Sequence, residues 1–347
     1  MMLRKVIPIG MAAVACFSAK AQERVWEPDL LPGFEATTVE MPADYAGEVV
    51  CTVVRHLVPD SLPCKRVAVV YVHGYNDYFF QSEMGKRFAG QGYNFYAVDL
   101  RKYGRSWRQG QRRFEVRDIA EYYPDIDAAI AAALADGNTS VALMGHSTGG
   151  LTLACYLASG AGEGFPVGAL LLNSPFLDMN LSGFNERIAV PVVSWLSRLF
   201  PDAEISQGGD NSYAQSILAR YHGEWDYRTD WKLEVSPDVT FGWLGAIHRA
   251  HKFIQPGADI SVPILLMHSD SSVACSGGWS PRLNSGDAVL DVGEISLYGL
   301  RLGRNVDELT VAGGMHDLFL SRKPVRESLY SSVFAWLAGV LALQGNR

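Results

Sequence analysis

Ser147 stands in Gly145-His146-Ser147-Thr148-Gly149, between two glycines. A short apolar run over 141–144 precedes this turn, and Leu151, Ala154, Cys155 and Ala158 follow at helical spacing. Strand, sharp turn and helix in that order is the context a G-x-S-x-G nucleophile elbow requires, because the glycines leave room for neighbouring backbone and the serine stands exposed above a sheet. A serine hydroxyl is a weak nucleophile, so it needs an adjacent base, and the base needs an orienting acid. In this architecture the chain order is serine, acid, histidine. Of eight histidines, His316 follows the last strand-like run, in the glycine-rich stretch Ala312-Gly313-Gly314-Met315-His316-Asp317, and is the expected base. His268 ends a strand but precedes the expected acid. His56, His222, His248 and His251 lie away from strand ends, and His73 and His146 belong to motif loops. Two acids compete. Asp270 comes almost at once after the run 264–267, whereas Asp287 stands immediately before the apolar periodicity of Ile295, Leu297 and Leu300. Residues 271–285 between them, rich in Ser, Gly and Pro, read as an inserted loop. From Asp287 to His316 the chain has one helix and one strand to traverse, so Asp287 is preferred and Asp270 is the alternative. Two backbone N–H groups must also face the oxyanion of a tetrahedral intermediate, and losing one costs roughly 3–4 kcal/mol. The residue after the nucleophile, Thr148, supplies one; Tyr75, after His73-Gly74 at a strand exit, is the candidate for the other. The chemistry these residues could do together is acyl transfer.

The surrounding pattern has to hold these groups on one edge of a sheet. Residues 34–41 and 48–58 read as an opening antiparallel pair, and 66–72 as a strand buried on both faces. Helical periodicity over 82–91, a strand over 93–100, a polar loop over 101–111 and an amphipathic helix over 118–135 follow, then the elbow and a further strand over 167–173. Strand and helix alternate throughout, which predicts an α/β fold with a mostly parallel central sheet and helices on both faces. The rhythm breaks over 180–262, where Trp195, Trp225, Trp231 and Trp243 accompany many tyrosines, and this stretch reads as an inserted helical cap or lid. Alternation resumes with strands over 262–267 and 308–311 and a closing helix over 322–343. The expected organisation is therefore a leader over 1–21, a first core part over 22–179, the cap over 180–262 and a second core part over 263–347.

The leader reading rests on Arg4 and Lys5 before an apolar stretch over 6–17, then Ala19-Lys20-Ala21 as an A-x-A cleavage site. It predicts a secreted or periplasmic protein cleaved after Ala21, and the stretch is too short for a membrane span. The chain has 347 residues, 48% of them hydrophobic, and a formal charge of −7, which supplies a large core and no general nucleic-acid footprint. Arg101, Lys102, Arg105, Arg108, Arg112 and Arg113 form a local basic cluster that reads as a solvated loop. Cys51 and Cys64 flank a turn containing Pro59-Asp60 and Pro63, so a local disulfide is expected in an oxidising compartment. Cys155 reads as a core thiol, and none of the cysteines has metal-ligand spacing. No metal or cofactor is expected.

The stretches V-Y-V-H-G-Y-N-D, D-L-R-K-Y-G-R-S, M-G-H-S-T-G-G and G-G-M-H-D together resemble the α/β-hydrolase superfamily, and more narrowly its monoacylglycerol lipase, lysophospholipase and serine aminopeptidase-like group. The resemblance spans about residues 40–340. It implies the α/β-hydrolase fold, a triad of Ser147, an acid and His316, oxyanion donors at Tyr75 and Thr148, and a cap after Asn180 that forms the substrate pocket. Family members usually carry the acid within a few residues of the penultimate strand, in a G-x-x-D-x-V turn; here Asp287-Ala288-Val289 matches its D-x-V part, displaced along the chain. The function implied is hydrolysis of a carboxylic ester, either a monoacylglycerol, a lysophospholipid or a small acyl ester. Serine aminopeptidase-type exopeptidase activity is the alternative; it needs cap carboxylates for a substrate ammonium, and Glu204, Glu224, Asp226, Asp230 and Glu234 supply acid without a diagnostic arrangement. A non-catalytic binding protein on the same fold would be expected to lack a triad member, and none is missing here.

Overall fold

The computed structural model describes residues 24–181, 183, 185–206, 209–275 and 277–345; the expected leader lies outside the described residues. The chain enters through β1 (Glu27–Pro28) and the hairpin of β2 (Glu35–Asp44) and β3 (Gly47–His56). It then alternates through β4 (Val67–Val72), α1 (Ser82–Gly90), β5 (Asn94–Asp99), α2 (Tyr123–Ala135), β6 (Ser140–His146), α3 (Thr148–Ala158) and β7 (Val167–Asn173). A long excursion follows, holding α4 (Val190–Leu196), β8 (Glu204–Ile205), α5 (Ser212–Ile217), β9 (Val239–Thr240) and α6 (Phe241–Ile254). Then β10 (Ile264–Ser269), α7 (Val292–Gly299), β11 (Val306–Val311) and α8 (Lys323–Gly345) complete the chain. Nine strands among the described residues form one sheet in the order β1-β2-β3-β5-β4-β6-β7-β10-β11. The edge β1-β2-β3 and the β3–β5 pairing are antiparallel, and every pairing from β5 to β11 is parallel.

Side chains alternate across a strand with period two, and β4 shows what that does here. Ala68, Val70 and Val72 join the apolar cluster under α2, α3 and α6, while Val67, Val69 and Tyr71 join the cluster under α1 and α8. Both faces of the central strands are therefore dry, which is why their sequences are continuous apolar runs rather than alternating ones. Helix α8 closes the second face through Leu329, Val333, Leu337 and Val340, a stripe at helical spacing. Each such side chain contributes roughly 1.5–3 kcal/mol when fully buried.

Two expectations are corrected. The side chains of Arg101, Lys102 and Arg105 in the basic cluster are buried, not solvated. Arg101 pairs with Asp125 at 2.7 Å, Lys102 with Asp44 at 2.7 Å, and Arg105 with Asp29 at 2.7 Å and Asp99 at 2.9 Å. Each cation meets a carboxylate distant in sequence, so the loop after β5 is riveted to the core. Cys51 and Cys64 do not form a disulfide: both are free thiols. Cys51 faces the apolar cluster from β3, whereas Cys64 is exposed and its sulfur accepts from Arg66 N and Asn94 Nδ2. Cys155 is buried, and burial pushes its thiol up to about 12. No helix among the described residues is long and apolar enough to cross a membrane.

Candidate active site

Strand β6 ends at His146 and α3 begins at Thr148, so Ser147 alone makes the corner, with φ 51° and ψ −118°. A non-glycine residue held at such a backbone conformation carries strain of order 1–3 kcal/mol and persists only where its surroundings over-determine it. Here Ser147 N donates to Asn173 O at 3.0 Å, while Ser147 O accepts from Leu151 N at 3.2 Å and Phe176 N at 3.0 Å. The glycines are required by contact. A Cβ on Gly145 would lie 2.7 Å from the main chain of Gly149 and Gly150, and one on Gly149 would overlap the carbonyl oxygens of Val72 and His73. The elbow thus seats against the end of β4, and Gly74 allows the next loop to come within 3.1 Å of Ser147 Cβ where its own would stand.

His316 and Asp287 are brought together: His316 Nδ1 lies 2.9 Å from Asp287 Oδ2, and both residues are buried. Asp287 Oδ1 accepts from Val289 N and Leu290 N, both at 2.8 Å. Burial alone raises this carboxyl, but the adjacent His316 ring and the two main-chain donors outweigh it and hold Asp287 below the ordinary aspartate range. Asp270 is not with them. It is exposed, and its Oδ1 accepts from Gly313 N at 3.0 Å, fastening the glycine-rich turn that carries His316. The loop between the two acids is closed at its base: Val273 N donates to Asp287 O at 2.7 Å and Asp287 N to Ser271 O at 2.8 Å. That ladder returns Asp287 to the end of β10 despite its distance along the chain.

Thr148 is the first residue of α3, so its N–H has no partner within the helix and points out of the N-terminus, where the helix dipole favours negative charge. Tyr75 follows β4 on a loop held at its start by His73. The His73 ring accepts from Leu100 N at Nε2 (3.1 Å) and donates from Nδ1 to Gly74 O (2.8 Å), tying the loop to the end of β5. The sequence places His73 in its motif; its two-sided bonding becomes legible only with the strand order.

Behind the serine lies a buried polar group. His146 Nδ1 is 3.2 Å from Asn173 O and its ring is 4.8 Å from that of His316. Burial, with the neighbouring His316, lowers its basicity against the opposing pull of Asp317, so His146 is held neutral. Asp317 accepts from Asn173 Nδ2 at 2.8 Å and Gln81 Nε2 at 3.2 Å. Asp77, His146 and Asp317 offer ligand atoms within 4.8 Å of one another, the single such group of three among the described residues. The Lys232 ammonium already meets Asp77 Oδ1 at 3.0 Å there, so a protein cation answers part of the charge.

A cavity of about 680 Å³ opens on these groups, and Ser147, His316, Tyr75 and Thr148 all line it. Apolar Phe176, Met179, Val190, Val193, Trp243 and Leu290 line it, as do polar Asn76, Tyr213, Tyr227, Lys232 and Ser236. Of the acids weighed for an ammonium site, Glu204 pairs with Arg112, Glu224 with Arg326, Asp230 with Arg228 and Glu234 with Arg220. Glu234 alone of the five lines the cavity, and Asp210 lines it too.

Residues 63–284 match the family model described as serine aminopeptidase, S33. The chain belongs to that family. Among solved structures it is similar to a soluble variant of the monoglyceride lipase of Saccharomyces cerevisiae in complex with a substrate analog (TM-score 0.63, 16% identity, 87% of this chain and 94% of that one). It is also similar to the Paleococcus ferrophilus monoacylglycerol lipase (0.53, 21%, 80% and 96%) and to a highly thermostable carboxyl esterase from Bacillus coagulans in complex with glycerol (0.59, 14%, 88% and 98%). At such identities the likeness shows the fold, which is that of the α/β-hydrolases. No curated protein matches the chain in sequence.

Proposed function

We propose that this S33-family protein is an exported serine hydrolase that cleaves carboxylic esters, with a monoacylglycerol, lysophospholipid or small acyl ester as substrate. The observation that carries the reading is the buried Asp287–His316 contact on the cavity that the strained Ser147 also lines. Ser147 Oγ attacks the ester carbonyl as His316 Nε2 takes its proton. Asp287 holds the Nδ1–H tautomer and stabilises the imidazolium. The N–H groups of Tyr75 and Thr148 receive the oxyanion, the protonated His316 releases the alcohol, and water then frees the acyl group from the serine.

The excursion over 180–262 is the cap in this reading. Its cavity-lining residues Val190, Val193 and Trp243 suit an acyl chain, and it also carries Ile188, Val192, Trp195 and Leu199 exposed. Engagement of four of the five candidate acids by arginines favours an ester over a substrate bearing a free ammonium. Export is supported by the residue pattern over 1–21.

The test is labelling of the protein by a fluorophosphonate, followed by turnover of p-nitrophenyl esters graded in chain length. Ser147→Ala is expected to abolish both labelling and turnover. Retained turnover in that variant would remove the reading, and cleavage of aminoacyl amides in preference to esters would replace it with the exopeptidase one.

A further inference from the structure

We infer that the segment over 228–243 is the template of the oxyanion loop, with Asn76 and Lys232 as positioning residues for the Tyr75 N–H. This rests on the reading of Tyr75 as an oxyanion donor. The loop from β4 to α1 is held by the sheet core at both ends. His73 ties its start to Leu100, and at its far end Phe79 N donates to Asp99 Oδ1 at 2.8 Å while Phe79 O accepts from Arg105 at 2.9 Å. Four of the five residues between these anchors, Tyr75 to Tyr78, each take a partner from the excursion. The Tyr75 ring packs on Trp243 with centroids 4.7 Å apart. Asn76 makes a paired contact with the main chain of Leu233, donating from Nδ2 to its oxygen and accepting at Oδ1 from its nitrogen, both at 2.8 Å. Asp77 meets the Lys232 ammonium at 3.0 Å, with both side chains buried. Tyr78 Oη accepts from Arg228 N at 2.8 Å, and its ring stands edge-on to Trp231. Among the described residues, the side-chain hydrogen bonds of Asn76 and Asp77 run to 232–236.

Asn76 is also left-handed, with φ 48°. A bend of that hand immediately after Tyr75 sets the direction in which the chain leaves it, and the two bonds to Leu233 lock that bend beside the donor residue. A donor aimed at a developing charge acts through its direction, and a misplacement of about 1 Å can cost about a hundredfold in rate. The excursion therefore does more than cover the cavity: over 228–243 it builds part of the catalytic geometry, and an oxyanion hole of this shape exists only while that segment is docked.

The experiment uses Asn76→Gly, which accepts the left-handed bend but deletes both bonds to Leu233. The double variant Asp77→Asn/Lys232→Met removes the ion pair without leaving either charge buried alone. Rates are normalised to serine labelled by fluorophosphonate. Expected is a fall in kcat of about tenfold to a hundredfold, KM for the p-nitrophenyl ester within about twofold of the parent, and a parallel loss of affinity for an alkylboronic acid that occupies the oxyanion position. Amide hydrogen exchange should quicken in peptides covering 74–78 and stay unchanged over 141–158. A merely structural role would lower the labelled fraction and the Tm without moving kcat per labelled serine. Parental kcat and boronate affinity in a folded Asn76→Gly protein overturns the inference, and if that variant does not fold the double variant decides on the same readouts. A parent that labels and turns over no ester instead removes the proposed function, while the exchange measurement still tests the template.

Discussion

Replacement of Asp287 by asparagine perturbs one atom, and its surroundings dictate the consequence. Val289 N–H and Leu290 N–H both point at Oδ1 from 2.8 Å, so the asparagine must turn its carbonyl oxygen to them and its NH2 to His316 Nδ1. An NH2 group can only donate, so Nδ1 must become the acceptor and the ring proton moves to Nε2, the atom that should receive the proton of Ser147. Fixing the wrong tautomer in an otherwise intact serine triad lowers kcat by about 10⁴, or about 5.5 kcal/mol at 1.36 kcal/mol per tenfold. We expect that loss in Asp287→Asn with substrate affinity retained, read as initial rates on a p-nitrophenyl ester. Asp270→Asn should stay within about threefold of the parent, since Asn Oδ1 can still accept from Gly313 N. An Asp287→Asn enzyme within tenfold of the parent, or an Asp270→Asn enzyme down by orders of magnitude, would refute the tautomer argument and return the acid to open competition.

Gly149→Ala would push a Cβ into the carbonyl oxygens at the end of β4, atoms that cannot move without breaking the sheet. We expect little folded protein, measured as soluble yield and Tm, and a milder effect from Gly150→Ala, whose Cβ would press on Pro175 Cβ at 2.9 Å. His251 is buried with Nε2 2.8 Å from Phe176 O, and burial lowers its pKa to about 3. Between its unfolded value near 6.5 and about 3 the unfolded chain binds the extra proton, so stability falls as pH falls, by up to about 1.4 kcal/mol per unit. Denaturant titrations at pH 7 and pH 4 should show a smaller difference for His251→Gln than for the parent; an equal difference would mean that other groups govern the acid limb.

Elements were legible in the sequence where one local period decides them. The apolar runs that became β4, β6, β7 and β10 are continuous because both faces of the sheet are covered, and the elbow could be located because its strand, glycines and helix are contiguous. Partners were not legible where they come from far along the chain. The arginines and lysine after β5 look like a polar loop until Asp29, Asp44, Asp99 and Asp125 arrive beside them from other elements. Cys51 and Cys64 are near in sequence, yet the strand directs one into the core while the other stays at the surface. The fastening of Asn76 and Asp77 to Leu233 and Lys232 has no sequence signal at all, since it depends on how the excursion folds back over the sheet.

The closed ladder beneath Asp287 has a consequence for how such a site tolerates change. Because Ser271 O and Val273 N both bond the main chain of Asp287 at the base, the carboxylate's position does not depend on how much chain lies between Val273 and Asp287. At the tip, Gly277 and Gly278 have positive φ and open space where a Cβ would point. Doubling a flexible loop adds only about 0.6 kcal/mol of closure entropy, so length can be gained or shed there as drift while the acid stays in register with His316. The same tip is a natural port for grafting a reporter peptide on the loop that ends at Asp287 without redesigning the Asp287–His316 pair.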